Sequence, residues 1–152
     1  MSELQLVNDR LEALISSLSA PARKEMARSI GRKLRASQQQ NIKRQQAPDG
    51  TPFKPRKTQP VRSKKGRIKR EMFAKLRTTK YLKIEATPSE AIVGFESKVQ
   101  HLANVHHYGL KDRPRRNIKE VLYNSRPLLG LTSNHLSLIQ DVITEALAEN
   151  SK

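Results

Sequence analysis

Leu4, Val7, Leu11, Leu14 and Leu18 recur at alternating spacings of three and four, which lines one stripe of a helix and predicts an element from about residue 3 to residue 17. Ser19 can cap a second helix that tolerates Pro21 in its first turn, and Ala22, Met26, Ile30 and Leu34 return along it every fourth residue. Together they read as a helical hairpin. Ile42 can extend the second helix, but the polar face around Gln38, Gln39 and Gln40 predicts a far end that is not packed within the monomer.

The segment APDGTP at 47–52 is turn chemistry, since proline fixes one torsion and glycine accepts a positive one. From 53 to 65, Pro55 and Pro60 interrupt any helix or central strand and like charges oppose compaction, so an extended arm or loop is expected. A shorter helix is expected over 66–77, with Ile68, Met72, Phe73 and Leu76 facing inward. Residues 81–86 alternate in polarity and 91–95 follow the turn Thr87-Pro88-Ser89, the pattern of a β-hairpin. Ser97 is the expected cap of a helix carrying Val99, Leu102, Val105 and His106, and Gly109 is its left-handed end. After a basic loop, residues 121–123 suit another strand, and Arg126 before Pro127 stays extended. Thr132 or Ser133 then caps a last helix whose stripe is Leu136, Ile139, Ile143 and Leu147.

The resulting fold class is α+β: an N-terminal helical hairpin over 1–46, a basic extended arm or loop over 47–65, and over 66–152 a small antiparallel sheet packed with short helices and a C-terminal helix. With 152 residues these form one structural domain, and 36% hydrophobic with 4% aromatic residues leaves it a modest interior that neighbours would help to cover. The absence of cysteine removes disulfides and thiol chemistry and suits a reducing cytoplasm. Glu3, Asp9 and Arg10 stand where an apolar signal core would be, and no apolar run approaches the roughly 20 residues that span a bilayer, so no membrane partner is expected.

Charge changes the picture most. The formal net charge is +16, and residues 51–83 hold thirteen Lys and Arg against Glu71 alone, a local excess of twelve. Lys54, Arg56, Lys57, Arg62, Lys64, Lys65, Arg67, Lys69 and Arg70 in that segment, with Arg113, Arg115 and Arg116 in the later loop, are the candidate DNA-facing or partner-binding residues. Aromatic residues are almost absent between Phe53 and Phe73, so any nucleic-acid contact would be independent of base sequence and sensitive to salt. A solvated arm is the blander alternative. Asp141, Glu145 and Glu149 make a negative stripe on the last helix, either a solvated face or a contact for the basic arm of another subunit. Leu4, Val7 and Leu11 are either monomer core or a seam for a neighbour.

Chemistry for catalysis is thin. His106 and His107 beside Tyr108 form the one conceivable cluster, but neighbours on a helix point about 100° apart and no carboxylate stands one turn away to complete a metal face. Glycines occur singly, which gives a phosphate loop no support. No cofactor, metal or catalytic residue is expected.

Four segments, KRQQAPDGTPF at 43–53, QPVRSKKGRIKREMFAKLR at 59–77, VHHYGLKDRP at 105–114 and RPLLG at 126–130, make the chain resemble the phage virion morphogenesis, or tail-completion protein S, family of contractile-tailed temperate phages. The resemblance runs over nearly the whole chain. It implies a non-enzymatic virion component that acts late, when a finished tail becomes competent to join a filled head. It further implies a small α+β subunit in a ring around the tail axis, six-fold to follow the tail. Expected partners are other copies of the chain, the tail tube or tail terminator protein, and a neck or head-completion protein, with contact to genomic DNA in the lumen a further possibility. The location implied is the tail top or neck of the virion, after assembly in the host cytoplasm. Charge alone would also support a non-specific nucleic-acid-binding protein free in the cytoplasm.

Overall fold

The computed structural model describes residues 3–56 and 71–151, without the side chains of Leu4 and Val7. In chain order the elements are α1 (Glu3–Ser17), α2 (Ala20–Lys43), β1 (Leu82–Ala86), β2 (Ala91–Phe95), α3 (Ser97–Tyr108), β3 (Lys111–Asp112), β4 (Val121–Leu122) and α4 (Ser133–Asn150). The strands form two antiparallel pairs, β1 with β2 and β3 with β4, the latter in the register Lys111 to Leu122 and Asp112 to Val121. The expected helical N-terminal region, small antiparallel sheets, short helix and C-terminal helix are therefore all present. Two compact units emerge: a helical one (Met1–Leu34, Ile84–Val93, Ser133–Lys152) and a mixed one (Arg35–Lys83, Gly94–Thr132).

In the helical unit, α1 ends where the Ser17 hydroxyl donates to the Leu14 carbonyl. Ser19 then begins α2 as expected, its hydroxyl accepting the Ala22 N–H at 3.2 Å. Leu18, Ala27, Leu34 and Val142 are buried. A Cβ on Gly31 would lie 3.4 Å from Ile84, so the small residue sets how closely β1 approaches α2. Two predicted stripes are displaced. Leu14 is exposed while Ile15 is half-buried, and on α4 Leu136 is exposed while His135 and Val142 are buried. Spacings of three and four define a stripe only to within one residue's rotation, and packing selects which side of it is covered.

The mixed unit holds the larger core. Ile42, Ala47, Phe53, Leu76, Ala103 and Leu128 form one buried cluster, with Met72, Phe73, Tyr81, Phe95, Val99 and Leu129 packed against it. The far end of α2 is inside it, contrary to the expectation from its glutamines. Ile42 is fully buried, Gln38 donates to the Gly130 carbonyl at 2.6 Å, and Gln39 donates to the Arg77 carbonyl at 2.9 Å. Amide side chains serve here because the loops they meet carry backbone carbonyls that need donors once buried.

Residues 44–53 fold back tightly: the Ala47 N–H donates to the Thr51 carbonyl, the Phe53 N–H to the Gln45 carbonyl, and Gln46 bridges Pro52. Phe53, expected to open an extended arm, is instead buried, its ring edge-on to Phe73 at 5.7 Å. Residues 57–65 of that arm, and 66–70 of the helix expected over 66–77, lie outside the described residues. The remainder, 71–77, is a run of turns in which Phe73 takes φ 64°, a torsion that breaks an α-helix. Met72, Phe73 and Leu76 nonetheless pack inward as expected. Helix α3 buries Ala103 and Val105 and leaves Leu102 exposed, and its N-cap is Glu96, without a side-chain hydrogen bond, where Ser97 was expected.

Candidate partner-binding site: the end of α3 and the root of the basic segment

Gly109 ends α3 at φ 69° and ψ 56°, the left-handed cap that its position predicts. A Cβ there would lie 2.7 Å from the Ser125 nitrogen and 3.0 Å from the Tyr123 carbonyl oxygen, so only glycine lets residues 123–125 cross this close. The crossing segment is then clamped to the helix end. The Tyr123 N–H donates to the Leu110 carbonyl at 3.1 Å, the Arg126 N–H to the His106 carbonyl at 2.8 Å, and the Ser125 hydroxyl to the His107 carbonyl at 2.9 Å. Of these, the His106 and His107 carbonyls belong to the last turn of α3, where the helix itself offers no donor.

Both histidines have structural duties. His107 Nδ1 accepts the Leu128 N–H at 3.1 Å, which requires that nitrogen to be unprotonated, and burial holds the ring's pKa below the ordinary value. His106 is set between Phe73, at 5.1 Å, and Tyr123, at 4.9 Å, both edge-on. Its Nδ1 is buried without a hydrogen-bond partner among the described residues. Burial first, then the positive charge of Arg126, lowers its pKa, with Asp112 opposing. Neutral, aromatically enclosed rings hold the loop in place. Among the described residues no group of three His, Asp or Glu side chains could hold a metal ion.

Arg126 is the residue whose role sequence reasoning missed. Only 7% exposed, it donates through Nε to the Lys54 carbonyl at 2.8 Å and through Nη2 to the Pro55 carbonyl at 3.0 Å. It thereby fixes the start of the basic segment to the RPLLG segment. Burial, and then the nearby charge of Arg56, lowers its pKa below the ordinary arginine value. The available signal was an arginine directly preceding an apolar run, since a guanidinium drawn inside must find acceptors.

Beside this anchor lies an open cavity of about 540 Å3 whose walls include Phe73, His106, Pro114, Leu122, Tyr123 and Arg126. Arg56 lines it too, and Lys54 is exposed at the same root. Pro114 brings the second basic loop to the cavity, with Arg113, Arg115 and Arg116 all exposed beside it in sequence. Lys57, Arg62, Lys64, Lys65, Arg67, Lys69 and Arg70 lie outside the described residues. The acids of α4, Asp141, Glu145 and Glu149, are exposed in the helical unit, and Leu11 is half-buried there.

A small α+β protein whose histidines clamp a loop, and whose remaining distinctive feature is a cationic, apolar-walled surface, is of the class that works by presenting surfaces to other molecules. A family model matches residues 2–148, and the chain belongs to the phage virion morphogenesis family. Among curated proteins it is similar to tail completion protein S of Escherichia phage P2, 43% identical over 144 residues that cover 94% of this chain and 96% of that protein. No solved structure matches it. Among the described residues no helix is long and apolar enough to cross a membrane.

Proposed function

We propose that the chain is a non-enzymatic structural subunit that completes the phage tail and joins it to the head, assembling with further copies of itself as a six-fold ring at the tail top or neck. The observation that carries this reading is the 43% identity to a tail completion protein along nearly the full length of both chains. Its partners are then the tail tube or tail terminator protein on one side and a neck or head-completion protein on the other, with assembly in the host cytoplasm. A closed ring follows from a head-to-tail contact whose rotation repeats to closure. The net charge of +16 supports a lumen that meets the phosphates of the genome, through counterion release and without base readout.

Particles made without the protein test the first statement: filled heads and finished tails should accumulate unjoined, and normal yields of complete virions would refute it. The DNA contact is tested separately by replacing Lys64, Lys65, Arg67, Lys69 and Arg70 together with glutamine. Joined particles should then retain DNA less well, whereas unaltered retention removes the lumen role. The same charge favours the second reading, a non-specific nucleic-acid-binding protein of the cytoplasm, which predicts that the protein is absent from purified virions.

A further inference from the structure

The cavity beside Arg126 combines two properties that are seldom found together on a solvated face. Its walls are largely apolar and aromatic, with Leu122 63% exposed at the edge, and the permanently charged side chains that line it, Arg56 and Arg126, are both cationic. All the Asp and Glu side chains of the chain lie among the described residues, and none pairs with Arg126. Asp112 on β3 faces His101 at 3.5 Å, and its charge is also felt at His106. A surface of this kind asks for an occupant that brings carboxylates and also covers hydrocarbon. A DNA phosphate supplies charge but gains little from Phe73, Leu122 or Pro114, whereas a protein surface can withdraw such walls from water.

The chain carries such an occupant. Lys and Arg make up 30 of its 152 residues, yet α4 has neither and carries Asp141, Glu145 and Glu149. Those acids are exposed, and the side chains among them, Ser137, Thr144 and Ala148, are small and exposed as well. Three carboxylates along roughly 12 Å of helix can meet more than one guanidinium, and the small residues let the helix backbone come close to a protruding Leu122.

We infer that the acidic face of α4 from a second copy docks on the arginine-bordered cavity formed by Phe73, Pro114, Leu122, Tyr123 and Arg126, making the head-to-tail contact between neighbouring subunits. This rests on the homo-oligomer proposed above and names its two surfaces. The contact is heterologous, because the donor face and the acceptor cavity are different parts of the chain, so each subunit offers one of each and the series can close into a ring. Charge complementarity sets partner choice and on-rate, and makes the contact weaken as salt is raised.

Three full-length proteins test it by sedimentation velocity and native mass spectrometry across a concentration series, with folding checked by circular dichroism. They are the unaltered chain, the variant Arg113→Glu, Arg115→Glu, Arg116→Glu, and the variant Asp141→Lys, Glu145→Lys, Glu149→Lys. Each reversal alone should weaken self-association by about tenfold or more, and mixing the two should restore assembly, because each now complements the other. A neutral set, Arg113→Gln, Arg115→Gln, Arg116→Gln, covers a failure of the reversed loop to fold and should weaken association less. Reversed variants that assemble like the parent, or folded ones that do not co-assemble on mixing, overturn the contact while the ring stands. A parent that remains monomeric at every concentration overturns both. Loss of DNA affinity with self-association unchanged in the arginine variants also overturns it and assigns that loop to nucleic acid.

Discussion

The two compact units spend their hydrophobic residues differently. The mixed unit gathers Ile42, Phe53, Leu76 and Leu128 into one buried cluster and ties its loops to it with side-chain amides and a guanidinium. The helical unit buries chiefly Leu18, Ala27, Leu34 and Val142, and leaves Leu6, Leu14 and Leu136 each more than half exposed. A large side chain left in water on an amphipathic helix is apolar area still to be covered, and several on one unit mark a surface suited to partners. The mixed unit likewise leaves Tyr108, Leu122 and Leu131 more than half exposed, so the difference lies in the interiors. The mixed unit is held by one connected core, the helical unit by a thinner one, and both present apolar surface to partners.

The comparison can be broken most directly in the mixed core. Ile42→Ala removes a fully buried side chain and should cost about 3 to 4 kcal/mol in urea denaturation of the monomer. A cost no greater than that of a surface change would mean that this core is not what stabilises the unit. Arg126→Ala comes next, at about 3 kcal/mol, because two carbonyls lose a charged donor in a buried setting. Hydrogen exchange in this variant should rise at residues 53–56, and unchanged protection there would rule out the anchoring role.

Gln38→Ala should cost about 1 to 2 kcal/mol by stranding the Gly130 carbonyl, a loss that a solvated glutamine would not produce. A pH effect follows from His106 and His107, whose pKa values in the folded protein are depressed by burial below 6.5. The unfolded chain then binds more protons, so their contribution is complete above the unfolded value and is lost as pH falls through the folded values. The urea midpoint should therefore drop as pH falls below about 6.5, less steeply in His106→Phe, and an identical slope in that variant would exclude His106 as a source. The smallest effect sharpens the contrast: Leu14→Ser should stay within about 0.5 kcal/mol of the parent monomer.

Much of this architecture was legible in the chain. Ser19 capping α2, the alternation of 81–86 with 91–95 following a turn, and Gly109 as a left-handed stop are local signals, and α2, the hairpin strands at 82–86 and 91–95, and the end of α3 formed there. That the two histidines diverge was also legible, since neighbours on a helix point about 100° apart; that His106 packs between Phe73 and Tyr123 was not. Gln38 and Arg126 were not legible in the same way, because a polar letter does not announce a buried carbonyl from a segment more than 70 residues away. Phe73 was missed as a helix breaker because its positive φ reflects packing against Phe53 and His106, not local preference. The cavity drew on residues from 56, 72–73, 106, 114 and 121–126, and no spacing rule connects them.

By itself the sequence determined the long helices, the β1–β2 hairpin, the Ser19 and Gly109 caps and the concentration of charge, since hydrogen-bonding period, capping and glycine torsions act within a few residues. Only the tertiary structure decided which face of each helix is covered, that the glutamine end of α2 is interior, and that Arg126 holds the root of the basic segment. Those outcomes depend on which distant groups become neighbours once apolar surface is withdrawn from water, and buried carbonyls must then take whatever donors lie within reach.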